Sequence, residues 1–127
     1  MKILRRKMLA MIPVLLVGLS QLDVHAQTDP KEAKLRRTGS TFNLKIVELR
    51  AVRRNDLLTV QAGIYNESRT GAPVNYRFRW VDDAGMKVWD DEPWKPLNLF
   101  AGQTIDLTGV APTPMATDFM IELNGSN

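Results

Sequence analysis

The sequence predicts an all-β domain: an immunoglobulin-like antiparallel β-sandwich of six or seven short strands, after an N-terminal signal peptide and a polar tether. Three observations carry that expectation. From Thr41 onward apolar residues recur with a period of two. Clusters of turn-forming residues separate these runs at short intervals. Beyond the leader about 100 residues remain, the size of one domain.

Residues 2–7, KILRRK, form a positive n-region, and residues 8–19, MLAMIPVLLVGL, form an uncharged apolar core. That core is shorter than the roughly 20 residues a spanning helix needs. Val24-His25-Ala26 reads as a small-x-small cleavage site, placing the cut between Ala26 and Gln27. The expected destination is the periplasm, as a soluble protein. A lipoprotein signal needs a cysteine directly after the cut, and the chain has none, so no lipid anchor is expected.

Residues 27–40, QTDPKEAKLRRTGS, are expected to be a polar tether or a short helix. Asp29, Pro30 and Glu32 have the order of an N-cap, an N1 proline and a capping-box glutamate, with Gly39 as a stop. Only Ala33 and Leu35 are apolar, so a helix there has little to bury, and the tether is preferred.

The domain proper is expected over 41–124. In its first strand Phe42, Leu44 and Ile46 face the core, and in 57–66 Leu58, Val60, Ala62 and Ile64 do so. The run 74–82, VNYRFRWVD, alternates most cleanly: Val74, Tyr76, Phe78 and Trp80 on one face, Asn75, Arg77 and Arg79 on the other. Further strands are expected at 86–89, 103–110 and 117–123. Asn55-Asp56, residues 66–71 and Asp82-Asp83-Ala84-Gly85 supply turns, with Gly85 free to take a positive φ.

Charge and composition narrow the function. Four of the basic residues and one acidic residue precede the cleavage site, leaving thirteen of each sign after it. The net basic footprint of a nucleic-acid binder therefore leaves with the leader. The only histidine, His25, leaves too, so the remaining chain has neither His nor Cys for a zinc site or a nucleophile–base pair. No enzyme, metal or cofactor is expected. Asp82, Asp83, Asp90, Asp91 and Glu92 could offer oxygen ligands to calcium or a carboxylate pair to a glycosidic bond, but they lack EF-hand spacing. Turn initiation and a solvated loop explain them more simply.

The candidate interaction surface comprises Arg77, Arg79, Trp89, Trp94 and Pro96. Exposed tryptophans bind partner proteins or sugars, and an arginine pair on one strand face can grip carboxylates. Against this, Pro-Trp-x-Pro can simply fix a rigid crossover, and the arginines can pair with acids on a neighbouring strand.

An ordered set of residues resembles a known family. It runs Asn55-Asp56-Leu57-Leu58, Val60-Gln61, Tyr65-Asn66, Tyr76-Arg77-Phe78-x-Trp80-x-Asp82 and Gly85. It continues with Pro93-Trp94-x-Pro96-Leu97, Gly102-Gln103-Thr104, Ala111-Pro112-x-Pro114 and Asp118-Phe119. Over residues 41–123 this resembles the YcfL-like family of small bacterial envelope proteins of unknown function, many of them lipoproteins. The resemblance implies a periplasmic β-sandwich with no catalytic residues to carry over. It implies an envelope role by association, and the partner expected for the candidate surface is an envelope protein or peptidoglycan. The missing lipobox cysteine is this chain's departure from the pattern.

Overall fold

The computed structural model describes residues 29–125. The expected signal peptide, with its expected cut between Ala26 and Gln27, lies outside the described residues. Seven strands follow in order: β1 (Leu35–Thr38), β2 (Leu44–Arg54), β3 (Leu57–Asn66), β4 (Ala72–Val81), β5 (Lys95–Leu99), β6 (Thr104–Val110) and β7 (Asp118–Gly125). They form two sheets, β1-β7-β4-β5 and β2-β3-β6. The protein is a β-sandwich, and among the described residues there is no α-helix.

The inner faces are those the alternation marks. Leu58, Val60, Ala62 and Ile64 of β3, Val74, Phe78 and Trp80 of β4, and Phe119, Ile121 and Leu123 of β7 are all buried in one core. Phe78 and Trp80 stack with centroids 5.4 Å apart and planes 9° from parallel. Tyr76 meets Phe78 edge-on at 6.4 Å. Each such side chain contributes about 1.5–3 kcal/mol by leaving water, so this strip of β4 is the energetic centre of the fold.

Turn chemistry explains the connections. Arg54 pairs with Leu57 across a two-residue hairpin. Its Asn55 and Asp56 take φ of 51° and 65°, the left-handed pair of a type I′ turn. At the end of β4, Gly85 has φ 79°, and its N–H donates to the Asp82 carbonyl at 3.0 Å.

Three expectations need correction. First, residues 27–40 are not merely a tether: Glu32–Lys34 form a 3-10 turn and Leu35–Thr38 form β1, parallel to β7. Main-chain pairing, not burial, recruits this segment, so its shortage of apolar residues does not exclude it. Leu35 lies beside Ile121 and Arg37 beside Leu123. Arg37 then ties the crossing to β2, donating to the carbonyls of Thr41 (2.7 Å) and Leu44 (2.6 Å). It also grips both Glu32 oxygens at 2.8 Å.

Second, Phe42 is 75% exposed, and Thr41 is buried in its place. The Leu44 N–H bonds the Thr41 carbonyl at 3.0 Å, so Phe42 belongs to a turn rather than to β2. Leu44 and Ile46 are buried and Val47 is exposed, as the alternation predicts, and beyond them a bulge between Ile46 and Glu48 shifts the inward set to Leu49. Third, 86–89 is no strand; its one bridge joins Lys87 to Val81. At that bridge the Val88 amide donates to the Trp80 carbonyl at 3.1 Å and the Asp82 amide to the Met86 carbonyl at 2.9 Å; further along the edge of β4 a side chain takes over. Glu92 accepts the Phe78 amide at 3.2 Å and the Trp80 indole N–H at 2.9 Å. Glu92 is therefore a sheet-edge cap, not part of a solvated loop.

Candidate functional site

The outer face of the four-stranded sheet gathers most of the candidate residues. Alternation along β4 points Asn75, Arg77 and Arg79 outward because Tyr76, Phe78 and Trp80 point in. Register then assigns neighbours. Arg77 lies opposite Glu122, Arg79 opposite Met120, and Asn75 opposite Pro96 on the other side. Arg36 of β1 pairs with Glu122 from the far edge.

Arg77 is the hub. Its Nε donates to Glu122 at 2.6 Å, with the two side chains only 20% and 15% exposed. The Trp94 ring lies over its guanidinium at 4.1 Å. Arg77 Nη1 also donates to the Glu92 carbonyl at 3.3 Å, and Asp91 lies 4.0 Å away. The Trp94 loop is thus fastened to β4 from both sides: Glu92 caps the strand edge while Arg77 holds the indole. A stack of this kind is worth about 0.5–2 kcal/mol depending on desolvation.

Around the hub the charges are unevenly matched. Lys87 bonds Asp91 at 3.2 Å. That bond, offset in part by desolvation and helped by Lys87, Arg77 and Arg79 as charges, holds the Asp91 carboxyl below its ordinary range. Lys34 bonds Asp118 at 2.6 Å. Arg36 comes only within 3.9 Å of the Glu122 already held by Arg77. Arg79 is half-buried and forms no ion pair or hydrogen bond with the described residues. A groove lined by Arg36, Thr38, Arg77, Trp94 and Glu122 shares Arg36 with a second, lined by Arg36, Arg79, Gly85 and Met120.

Trp94 keeps 39% of its surface and Trp89 keeps 50%. Trp89 makes no ring contact among the described residues and is not drawn into the Arg77 stack. Of the expected residues, then, Arg77, Arg79, Trp94 and Pro96 share one face, and Trp89 stands on the irregular segment beside it. Glu122 and Arg36 complete the face. The alternation of 117–123 puts Glu122 on a polar side, but only register pairs it with Arg77.

Of the acids at 82–92, Asp82, Asp83, Asp91 and Glu92 are dispersed into separate structural contacts, and Asp90 is exposed. Asp82 Oδ1 accepts the amides of Ala84 and Met86, both at 2.9 Å. Asp83 accepts the Thr117 hydroxyl at 2.6 Å. Among the described residues no three acidic side chains converge on a point that could hold a metal ion. Ser68 is tied into its turn, its Oγ 2.8 Å from Asn66 Oδ1 and from the Thr70 carbonyl.

A family model described as "Protein of unknown function (DUF1425)" matches residues 31–125. Two solved structures are similar. A Campylobacter jejuni protein, cj0090, is 23% identical, with 73% of this chain and 98% of that chain covered and a TM-score of 0.62. A DUF1425 family member from Shewanella sp. pv-4 is 21% identical, with coverages of 66% and 79% and a TM-score of 0.60. At these identities the likeness is one of fold. No curated protein matches the chain.

Proposed function

The chain belongs to the DUF1425 family of proteins of unknown function, and from that premise we propose that it is a non-catalytic interaction module of the bacterial cell envelope. It works in the periplasm, released by signal-peptide cleavage, and binds a partner protein on the outer β1-β7-β4-β5 face. The supporting observation is the Arg77–Trp94 stack. The indole is pinned at 4.1 Å over a guanidinium that is itself paired, yet 39% of the residue stays exposed. A large aromatic surface held in one orientation loses little conformational entropy on binding, which is the property of an interface anchor. The neighbouring Arg79, without a hydrogen bond or ion pair among the described residues, suits a carboxylate of the bound protein.

The test is capture from periplasmic extract by the wild-type chain, Trp94→Ala and Arg79→Glu, each checked for an unchanged far-UV spectrum. Capture of one partner, lost in both variants, is expected. Capture that both variants retain removes this face from the proposal. Trp89, half-exposed and without a ring partner, favours peptidoglycan as a second reading. Sedimentation with purified sacculi, lost on Trp89→Ala, would decide for it. Intact mass of the purified protein, expected to begin at Gln27, checks the export premise.

A further inference from the structure

The four edges of the sandwich are not equally protected. An open edge offers unpaired main-chain groups to any extended chain, and proteins blunt such edges with short strands, charges, prolines and bulges. β1 has four residues, two of them arginines. β5 carries Lys95 and Pro96. β2 has its bulge and the charges Lys45, Glu48, Arg50, Arg53 and Arg54. β6, TIDLTGV, has no Lys, Arg or Pro, carries Asp106 as its single charge, and pairs with β3 without a register break.

The direction of its free groups follows from its ends. The Gln103 carbonyl accepts from Asn66, and the Ala111 amide donates to Leu58. Odd-numbered residues therefore address β3. The amides and carbonyls of Thr104, Asp106, Thr108 and Val110 address the open side.

We infer that β6 pairs with β6 of a second copy, antiparallel about a two-fold axis at Leu107, joining the two three-stranded sheets. Self-pairing must match even residues with even. The register centred on Leu107 uses the whole strand and sets Thr104 against Val110 and Asp106 against Thr108. β-branched residues fill three of these four positions, which suits cross-strand pairs. Centring on Asp106 would oppose two carboxylates, and centring on Thr108 would leave Thr104 unpaired. On the inner side the chosen register sets the half-buried Ile105 against the partner's Gly109, a large side chain beside a missing one. The partner is a second copy because this fit uses only β6 itself.

Sedimentation equilibrium tests the pairing on protein expressed from the complete coding sequence and purified as its host leaves it. A concentration-dependent doubling of mass is expected. Thr108→Pro removes an outward amide while sparing the ladder to β3, and should abolish the dimer. Thr108→Lys sets two lysines against the two Asp106 carboxylates and should tighten the dimer about twofold to thirtyfold. A monomer at every concentration overturns the inference, as does growth beyond the dimer. So does a dimer that folded Thr108→Pro leaves intact. If that variant does not melt cooperatively, Thr108→Lys decides alone, and a dimer it weakens or leaves unchanged overturns the register.

Discussion

Replacing Gly109 by alanine probes the core at its tightest point. Gly109 lies on the inner face of β6, opposite Val60. A Cβ there would lie 2.7 Å from Cδ1 and Cε1 of Phe78 and 2.9 Å from its Cγ. Carbon atoms prefer roughly 3.5–4.0 Å, so the overlap is near 1 Å. The ring has nowhere to go: Phe78 is 1% exposed, and Trp80 stacks behind it. Trp80 is in turn held through its indole N–H by Glu92. Overpacking of this kind costs about 1–3 kcal/mol. The φ of Gly109 is not positive, so the lower entropy of the unfolded alanine chain returns about 0.4–1 kcal/mol. The net loss is about 1–2 kcal/mol, or roughly 5–15 °C in Tm for a domain of this size. Gly63→Ala is the control, since its Cβ would meet Glu48 Cβ at 3.3 Å and Asp106 Oδ1 at 3.4 Å, a much milder contact. Urea unfolding of both variants, and of Gly109→Ala combined with Phe78→Leu, completes the measurement. The double variant should be less destabilised than the sum of its parts. A Gly109→Ala protein as stable as wild type, or a strictly additive double variant, would falsify the packing argument.

Three further outcomes are expected. Asn66 is fully buried and donates to the carbonyls of Thr70 (2.8 Å) and Leu99 (3.0 Å) while accepting the Ser68 amide. Asn66→Ala should cost about 1–3 kcal/mol in urea unfolding through the carbonyls it orphans. Arg37→Met should strip amide-exchange protection from β1 ahead of the core, because Arg37 alone joins Glu32 to the carbonyls of Thr41 and Leu44. Partial burial tends to raise the Asp118 carboxyl, but the Lys34 bond and the Phe119 amide outweigh it, so it lies below its ordinary 3.8. A carboxyl lowered by folding adds stability above its unfolded value that is lost as pH falls through the folded one. Asp118→Asn should therefore be less stable than wild type near about pH 6, with the gap closing below about pH 4; a gap independent of pH would count against the Lys34 pairing.

Much of this fold is legible in the sequence because β-strand alternation is a local signal. The inward set of β3 and the inward Val74, Phe78 and Trp80 of β4 follow from a period of two and from the need to bury large apolar groups. The hairpin at Asn55-Asp56 and the Gly85 turn are equally local. What escapes is whatever depends on a partner strand. β1 forms because β7 offers a parallel ladder, and nothing in LRRT announces that. The bulge at Val47 inserts one residue and reverses the inward parity of β2, so alternation continued from Ile46 would place Leu49 wrongly. Phe42 follows the apolar rhythm of β2 by spacing alone, but the turn at Thr41 breaks it.

The candidate face shows the same division. That Arg77 and Arg79 point away from the core is a property of β4 alone. That Arg77 is neutralised by Glu122 while Arg79 is left without a partner is a property of register, since β7 sets a carboxylate beside one and Met120 beside the other. The two arginines therefore have different uses. Arg77 is already committed: between Glu122 and the Trp94 ring, it fixes the loop and orients the indole. Changing it should disturb binding through the position of Trp94. Arg79 makes no hydrogen bond or ion pair and acts on the loop only as a charge near Asp91, so changing it should alter recognition and leave the loop in place. Tryptophan fluorescence separates the two, with the emission maximum moving in Arg77→Met and staying put in Arg79→Met. If both variants shift the spectrum alike, Arg79 shares the structural role, and the case for it as the contact to an acidic partner fails.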